Sequence, residues 1–412
     1  TAADSITFSD TIGATNALDA ITIGSATEAG SAVFQGTVAA TSITVDGGDN
    51  SNETGLVEFQ NTVTGATLTL DNNSGAVTAT FNSTNGAFSF VQSGSGNFID
   101  GGGAGEGTLI VIDDDGATTN GNQPSDVNAD RVIFNNTNIG ASRRLGAISV
   151  GSSTLPGNAQ FQGSVAATTV TVTGGDAVSE FGFAEFFNSV TATSITLDDN
   201  TERALVIFNA TFDSGRSGAF TITGTVDGGA SGEGAFLIYD ADSGESDAVT
   251  FASNVGASAP LKNVIIGDFN AEIEEISVPG NDVFVFDNEG NGGDAIFSGT
   301  FSAGTVRIEA GDAAGENAGA VFVGDATITT LALNASATDA TTDATAEFQS
   351  ALTATTVTLD DAASNGTAEL TVNTTNGAQT IAGTIDVGAA GEGTLAVKDD
   401  DADAAAQAAT FS

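Results

Sequence analysis

Residues 32–45 read Ala-Val-Phe-Gln-Gly-Thr-Val-Ala-Ala-Thr-Ser-Ile-Thr-Val, and the pattern inside this stretch recurs along the chain. A Phe is followed nine residues later by Ile, Leu or Val, and eleven residues later by another of these three. The seven copies of this motif are Phe34/Ile43/Val45, Phe59/Leu68/Leu70, Phe161/Val170/Val172, Phe186/Ile195/Leu197, Phe297/Val306/Ile308, Phe322/Leu331/Leu333 and Phe348/Val357/Leu359. A repeat of this regularity predicts a stack of similar coils.

The spacing of the motif indicates what kind of stack it is. Phe34 and Phe59 are 25 residues apart, and Phe81 follows after a further 22. In most copies a Thr stands between the two aliphatic residues of the final pair. This alternation places the aliphatic side chains inside and the hydroxyl groups outside a strand. We therefore predict an all-β chain, an elongated right-handed parallel β-solenoid with coils of about 22–27 residues and roughly 16 or 17 coils in total.

The coils group into three longer sequence blocks, which we name superrepeats: residues 1–130, 131–247 and 248–407. Residues 408–412 match the start of a further coil, which predicts either a longer protein or a subunit that a neighbour completes. Each superrepeat opens on a strand that ends in Phe8, Phe134 or Phe251. Residues 268–293 of the third superrepeat are acidic and irregular, and we interpret them as an insertion that forms a protruding loop.

Composition narrows the possible functions. The 412 residues include 53 acidic and 8 basic ones, which gives a net charge of −45. Nucleic-acid binding needs a basic surface, so it is not expected. Cys and His are absent, which excludes disulfides, thiol or histidine catalysis and zinc sites of nitrogen and sulfur. The sequence contains no run of 18 apolar residues, so membrane insertion is not expected. Solubility and divalent-cation binding are two compatible interpretations of the charge.

Each superrepeat ends in an acidic segment, which we name a closing box: residues 100–115, 227–242 and 386–401. A box contains an Asp, a Glu six residues later within Gly-Glu-Gly, an apolar strand and a final Asp-x-Asp. Carboxylates are ligands that Ca²⁺ prefers. We predict Ca²⁺ binding by Asp100, Glu106, Asp113, Asp115, Asp227, Glu233, Asp240, Asp242, Asp386, Glu392, Asp399 and Asp401. The alternative is a solvated turn, since Asp favours turns.

A second acidic feature lies one residue after the apolar pair of the motif. This position holds an acid in five of seven copies: Asp46, Asp71, Asp198, Glu309 and Asp360, with Thr173 and Asn334 as exceptions. Neighbouring coils would stack these acids about 4.8 Å apart. Their repulsion is about 1 kcal/mol in water, and cations would relieve it. Alternatively, each residue merely ends a strand. The pair Arg143-Arg144 is predicted to be exposed, and a contact with an acidic neighbouring subunit is one interpretation of it.

The whole repeated pattern resembles the long repetitive β-solenoid surface proteins of bacteria, such as surface-layer proteins, extracellular fibres and filamentous-haemagglutinin-like passengers. Residues 102–109 also approach the calcium-binding nonapeptide of RTX proteins, but Gly107 stands where that repeat has a ligating Asp. The RTX mode of calcium binding therefore does not carry over to this chain.

This resemblance implies a structural subunit or segment of a self-assembling extracellular filament or surface layer, stabilised by cations. The expected partner is the chain itself, head to tail and also laterally, outside the cell or at its surface. We do not expect an enzyme, because paired acids occur throughout the chain and no pair is distinguished from the others. The alternative function is a calcium-dependent adhesin stalk that binds a surface or a partner cell.

Overall fold

The computed structural model describes residues 5–92, 98–114, 130–176, 180–200, 202–210, 220–240, 248–267, 293–311, 316–335, 342–361, 366–374, 379–388, 392–398 and 409–411. These residues form parallel β-strands and no α-helix. None of them belongs to a helix long and apolar enough to cross a membrane. The chain divides into two units, Thr1–Leu205 and Val206–Ser412, which are described separately below.

The first unit contains seventeen strands within its described residues. They are β1 (Ile6–Phe8), β2 (Leu18–Ile23), β3 (Ser31–Phe34), β4 (Val38–Asp46), β5 (Thr54–Phe59), β6 (Val63–Asp71), β7 (Ala76–Asn82), β8 (Phe88–Gln92), β9 (Phe98–Gly101), β10 (Glu106–Ile112), β11 (Val132–Asn135), β12 (Asn138–Ile139), β13 (Leu145–Val150), β14 (Gly157–Phe161), β15 (Val165–Thr173), β16 (Gly182–Phe186) and β17 (Val190–Asp198).

The second unit continues with β18, whose first two residues precede the boundary. Its described strands are β18 (Ala204–Asn209), β19 (Phe220–Gly228), β20 (Glu233–Tyr239), β21 (Val249–Phe251), β22 (Leu261–Gly267), β23 (Gly293–Phe297), β24 (Phe301–Glu309), β25 (Ala318–Phe322), β26 (Ala326–Asn334), β27 (Ala344–Phe348), β28 (Leu352–Asp360), β29 (Ala368–Asn373), β30 (Gln379–Val387), β31 (Thr394–Lys398) and β32 (Ala409–Phe411).

Strands of the first unit form three parallel stacks. The first stack runs β1–β3–β5–β7–β10–β13 and continues into the second halves of β15 and β17. The second stack joins the first halves of β4 and β6 to β8, β11, β14 and β16. The third joins β2, the second halves of β4 and β6, β9, β12 and the first halves of β15 and β17.

The nine-residue strands serve two stacks because each contains a bend. In β4 the side chains of Val38 and Ala40 are buried, and burial resumes at Ile43 and Val45. Two consecutive outward residues, Thr41 and Ser42, therefore interrupt the strict alternation. One motif thus spans three sides of a coil: the Phe strand, the short segment after the turn and the aliphatic pair.

The motif residues form a large part of the core of both units. In all seven copies the Phe and both aliphatic side chains are buried. The rings form columns, in which Phe161 lies 5.0 Å from Phe134 and 4.9 Å from Phe186 between ring centroids, with nearly parallel planes. Offset-stacked rings are favourable at such distances. The parallel pairing and the shared burial confirm the predicted β-solenoid.

The motif does not stay on one stack, which the sequence did not predict. Phe8, Phe34, Phe59 and Phe81 lie one above the other on the first stack, but their next partner is Val111 of the first closing box. The next Phe column starts on the second stack, where Val63 pairs with Phe90. There Phe134, Phe161 and Phe186 continue it. The motif therefore moves to the neighbouring stack at the closing box.

The second unit shows the same movement at both of its closing boxes. Phe208 lies on β18, which pairs with β20, whereas Phe251 pairs with Ile222 of a different stack. Phe297, Phe322 and Phe348 continue the Phe251 column, which then passes to Val372 and Val397. The strand of Phe411 instead pairs with Ile381, in the stack of Leu352. Each box thus transfers the opening Phe to the next stack.

The coils near the boxes are longer than the motif spacing predicts. Val111 and Val150 are register partners, although 39 residues separate positions 111 and 150. The described residues accordingly form about 12 turns, fewer than the roughly 16 or 17 expected from the 25-residue spacing. The predicted insertion at 268–293 lies outside the described residues except for Gly293, the first residue of β23.

Candidate functional site

The glutamates of the first two closing boxes close a tight turn. Glu106 Oε2 accepts a hydrogen bond from the backbone N–H of Gly103 at 2.6 Å. Glu233 Oε2 accepts one from the backbone N–H of Ala230 at 2.7 Å. Each glutamate begins a strand, so its carboxylate satisfies a donor that the strand ladder leaves unpaired. A charge-assisted bond of this kind is stronger than a neutral one.

The first aspartates of the same boxes connect two coils. Asp100 Oδ1 accepts hydrogen bonds from the N–H groups of Ser142 at 3.1 Å and Arg143 at 3.2 Å. Asp227 Oδ1 accepts the equivalent bonds from Ser258 at 2.9 Å and Ala259 at 3.4 Å. The two boxes therefore use their first aspartates in the same way, as acceptors for backbone donors of the adjacent coil.

The third box differs in part. Asp386 is exposed on β30 and its Oδ1 accepts a hydrogen bond from the N–H of Val387 at 2.9 Å. Glu392 lies just before β31, and its carboxylate approaches Gly388 together with that of Asp360. Asp360 occupies the acidic position after the apolar pair of the motif, which we name the acid column, and Asp71 of the same column likewise approaches Gly102 of the first box.

The last acids of the boxes are described only in part. Asp113 follows β10 and donates its backbone N–H to the carbonyl oxygen of Pro156 at 2.9 Å. Asp240 follows β20 and is 8% exposed. Asp115, Asp242, Asp399 and Asp401 lie outside the described residues. The described part of the chain contains no group of three or more acids placed to hold a metal ion. Calcium binding at the boxes stays a prediction.

Asp240 also affects a carboxyl group on a neighbouring coil. The pKa of Asp294 is raised, first by burial and second by the negative charge of Asp240. Asp294 lies on β23, in the coil that follows the second closing box. The two carboxyl groups thus form an electrostatically coupled pair, in which a proton or a cation would relieve the repulsion.

Among the described register partners, the predicted stacking of two acids occurs at one pair of the acid column, whereas Asp198 pairs with Thr173, and Glu309 and Asp360 pair with Asn334. Asp46 and Asp71 are register partners on β4 and β6. The pKa of Asp46 is raised by burial and by the charge of Asp71, and a hydrogen bond from Asn73 opposes this shift. In the second unit, Glu309 instead contacts Arg307, at 2.6 Å, and the amide of Asn334, at 2.9 Å. The guanidinium of Arg307 therefore neutralises the charge of Glu309. Asp46 has no ion pair among the described residues.

One repeat position of this region, filled by three different residues, was not among the predicted site positions. The position after the acid column holds Asn72, Asp199 or Asp361 in the last motif copy before each closing box, and Gly or Ala in the other copies. Asn72 Oδ1 accepts from the N–H of Val77 at 3.1 Å and of Gly107 at 3.0 Å. Asp361 accepts from Ala368 at 2.6 Å and Gly393 at 2.8 Å. An Asn or Asp occurs at this position only in the motif copy that precedes a closing box, and this restriction was the signal that could have identified the three residues.

The Gly-Glu-Gly sequence of the boxes follows from the same contacts. Gly105 and Gly107 have φ of 86° and 74°, in the left-handed region that favours glycine. A Cβ at Gly107 would lie 2.5 Å from Cβ of Leu70. Only glycine therefore lets the backbone approach the coil below closely enough to donate to Asn72.

On the outer side of the coils, glutamates beside the motif Phe bind amides. Glu58 Oε1 accepts from Gln60 of its own coil at 2.7 Å and from Asn82 of the next at 3.0 Å. Gln349 and Asn373 contact Glu347 in the same way, both at 2.8 Å. A buried variant joins Arg131, Gln160 and Glu185, with Arg131 and Glu185 3.1 Å apart. The amide contacts of Asn82, Gln160 and Asn373 join consecutive coils, whereas Arg131 reaches past the coil of β14 to Glu185.

Comparison with known proteins gave no relative. No protein-family model, no curated protein and no solved structure matches this chain.

Proposed function

We propose that this chain is a structural subunit or segment of a self-assembling filament or layer outside the cell, stabilised by divalent cations. Several described acids accept hydrogen bonds from backbone or amide donors of an adjacent coil, among them Asp100, Asp227, Glu58 and Asp361. Contacts of this kind reinforce a stack of coils against separation. The resemblance to bacterial surface solenoids, based on the repeated pattern, supports the extracellular location.

One observation carries the proposal. The large apolar side chains that are exposed among the described residues all lie on the first two strands or on β30 and β31. They are Ile6, Phe8, Leu18, Val387, Leu395 and Val397. Elsewhere the described coils bury such side chains, because a neighbouring coil covers them.

β1, β2 and β31 also have an edge without a partner among the described residues, and so does the second half of β30, because β32 pairs only with Gln379–Ile381. β1 pairs with β3 and β2 with β4, while β31 pairs with β29. An open, apolar edge is a template for another strand. If a second copy supplies that strand, the contact is heterologous and repeats into a filament. If further residues of a longer chain supply it, the same wall of coils continues covalently.

Electron microscopy of the purified chain, together with light scattering, tests the proposal. We expect filaments or sheets whose formation is abolished by Phe8→Asp or Val397→Asp. Thr171→Asp, an outward substitution within the first stack, is the matched control and should leave assembly intact. Monomers that persist at high concentration with and without Ca²⁺ would contradict the proposal.

A further inference from the structure

Two adjacent arginines stand at an exposed corner of the first unit. Arg143 and Arg144 lie between β12 and β13, and both are exposed. The chain has only 8 basic residues against 53 acidic ones, so two neighbouring positive charges are unusual for its composition. Ion pairs within the described residues involve Arg131, Arg307 and Lys398, and neither arginine of this corner.

The fold itself does not require arginine at these positions. Backbone carbonyls of Arg143 and Arg144 accept hydrogen bonds from Gly101 at 3.1 Å and from Gly105 at 2.8 Å. At the equivalent corner of the second unit, Ala259 and Pro260 accept the same bonds, from Gly228 at 3.0 Å and from Gly232 at 2.8 Å.

The carboxylate contact at the corner is equally independent of the side chains. Asp100 binds the N–H of Arg143, and Asp227 binds the N–H of Ala259. The guanidinium of Arg143 adds a bond to the carbonyl oxygen of Gly102. An Ala-Pro pair therefore builds the same corner without either guanidinium group, so the fold needs neither of them.

We propose that the Arg143-Arg144 corner is a lateral contact that binds outward carboxylates of a second copy of this chain. This inference rests on the proposed structural function and adds the surface that joins neighbouring filaments. Guanidinium groups bind carboxylates through paired, charge-assisted hydrogen bonds. At physiological salt, charges farther apart than about 8 Å are largely screened. Local complementarity at the corner then outweighs the repulsion between two acidic chains.

The acid column at Asp46 and Asp71 is the acceptor that fits this corner. The two carboxylates belong to register partners, which are spaced by about 4.8 Å in a parallel stack. Consecutive Cα atoms such as those of Arg143 and Arg144 are about 3.8 Å apart. The described residues provide no ion pair to either carboxylate. Burial, first, and the negative charge of Asp71, second, raise the pKa of Asp46.

The sharpest test replaces the two arginines with the residues found at the equivalent corner of the second unit, Ala259 and Pro260. In the full chain, Arg143→Ala with Arg144→Pro installs the pair of residues 259 and 260, so the fold should be preserved. We expect electron microscopy to show filaments of single width, and sedimentation to show at least a tenfold weaker lateral association. Arg143→Lys with Arg144→Lys keeps the charge and should retain a weaker association. Asp46→Asn with Asp71→Asn should reproduce the loss.

Salt provides a second measurement. Lateral association should be greatest at intermediate ionic strength, because overall repulsion opposes it at low salt and screening of the ion pairs opposes it at high salt. Bundling by the Ala-Pro variant equal to that of the original chain would overturn the inference. The competing role for two exposed arginines is binding of a nucleic acid. The inference would also be overturned if the Ala-Pro variant lost binding to a DNA oligonucleotide while its lateral association stayed unchanged. Lateral dimers without filaments would refute the proposed function and leave this contact intact.

Discussion

Val111 lies directly above Phe81 as its register partner, although the two residues occupy different places in the sequence repeat. Phe81 belongs to the Phe strand of its coil and Val111 to the closing box. The interior of the first stack accepts either side chain, because both are apolar and fully buried there. This substitution of one repeat position for another lets the motif move between stacks.

The glycines of the closing box differ in what surrounds them, which predicts different costs of substitution. Gly107→Ala should destabilise the fold by about 2–4 kcal/mol, from a strained φ and from contact with Leu70. Gly105→Ala has a similar φ, and a Cβ there would have only Thr168 nearby, at 3.7 Å. It should cost about 1–2 kcal/mol. Equal values from chemical denaturation would mean that the approach to Leu70 does not determine the glycine.

Asp71→Asn should increase stability at neutral pH by about 0.5–1 kcal/mol, because it removes a like charge beside Asp46. A carboxyl group with a raised pKa in the folded state stabilises the fold at low pH, and this contribution is lost as pH rises through that pKa. The gain from Asp71→Asn should therefore shrink as pH falls below the pKa of Asp46. Thermal melting between pH 3 and 8 measures it.

Asp198→Asn is the matched control for that experiment. Asp198 pairs with Thr173 in place of an acid, and its Oδ1 accepts from the N–H of Asn200 at 3.1 Å, as Asp71 does from Asn73. No gain at neutral pH is expected there. A similar gain in both variants would assign the effect to overall charge.

The column of rings should make Phe161 one of the most sensitive core positions. Phe161 is fully buried between two stacked rings, so Phe161→Ala should cost about 3–5 kcal/mol. Phe8 stacks on one ring, that of Phe34 at 5.0 Å, and is 38% exposed. Phe8→Ala should cost clearly less in the dissociated chain. Urea denaturation at low protein concentration compares the two, and a larger loss at Phe8 would contradict the described core.

Calcium should raise the melting temperature if the closing boxes bind it. A ligand that binds only the folded state stabilises it in proportion to the logarithm of its concentration. We expect a rise of several degrees in millimolar Ca²⁺, reversed by a chelator and reduced by Asp113→Asn with Asp115→Asn. Asp198→Asn should keep the response. An unchanged melting temperature in the original chain would remove calcium from the proposed function.

The core was predictable because burial leaves a direct trace in the sequence. Strict alternation around Ile43 and Val45 identifies the inward side chains whatever lies above or below them. The movement between stacks leaves no such trace. Val, Ile and Phe are all accepted inside, so the sequence does not specify which apolar strand lies over which.

The contacts of the acids were less predictable for a related reason. Asp100 binds the backbone of Ser142 and Arg143, which lie 42 and 43 positions later in the sequence. Those partners depend on which coil lies next. Carboxylate chemistry suggested a metal, whereas the described partners are N–H groups that any residue other than proline provides. The role of Asn72 was hidden likewise, since it acts on Gly107 of a later coil.

The transfer of the motif at each closing box has a consequence for how such a chain can lengthen. A gene duplication that adds one superrepeat also adds one transfer, so every outward residue encoded downstream is displayed one side further around. If every transfer goes in the direction seen at the first closing box, three added superrepeats restore the original orientation, because a coil has three stacks. Selection for a flat array with a constant outer surface would therefore favour growth in multiples of three.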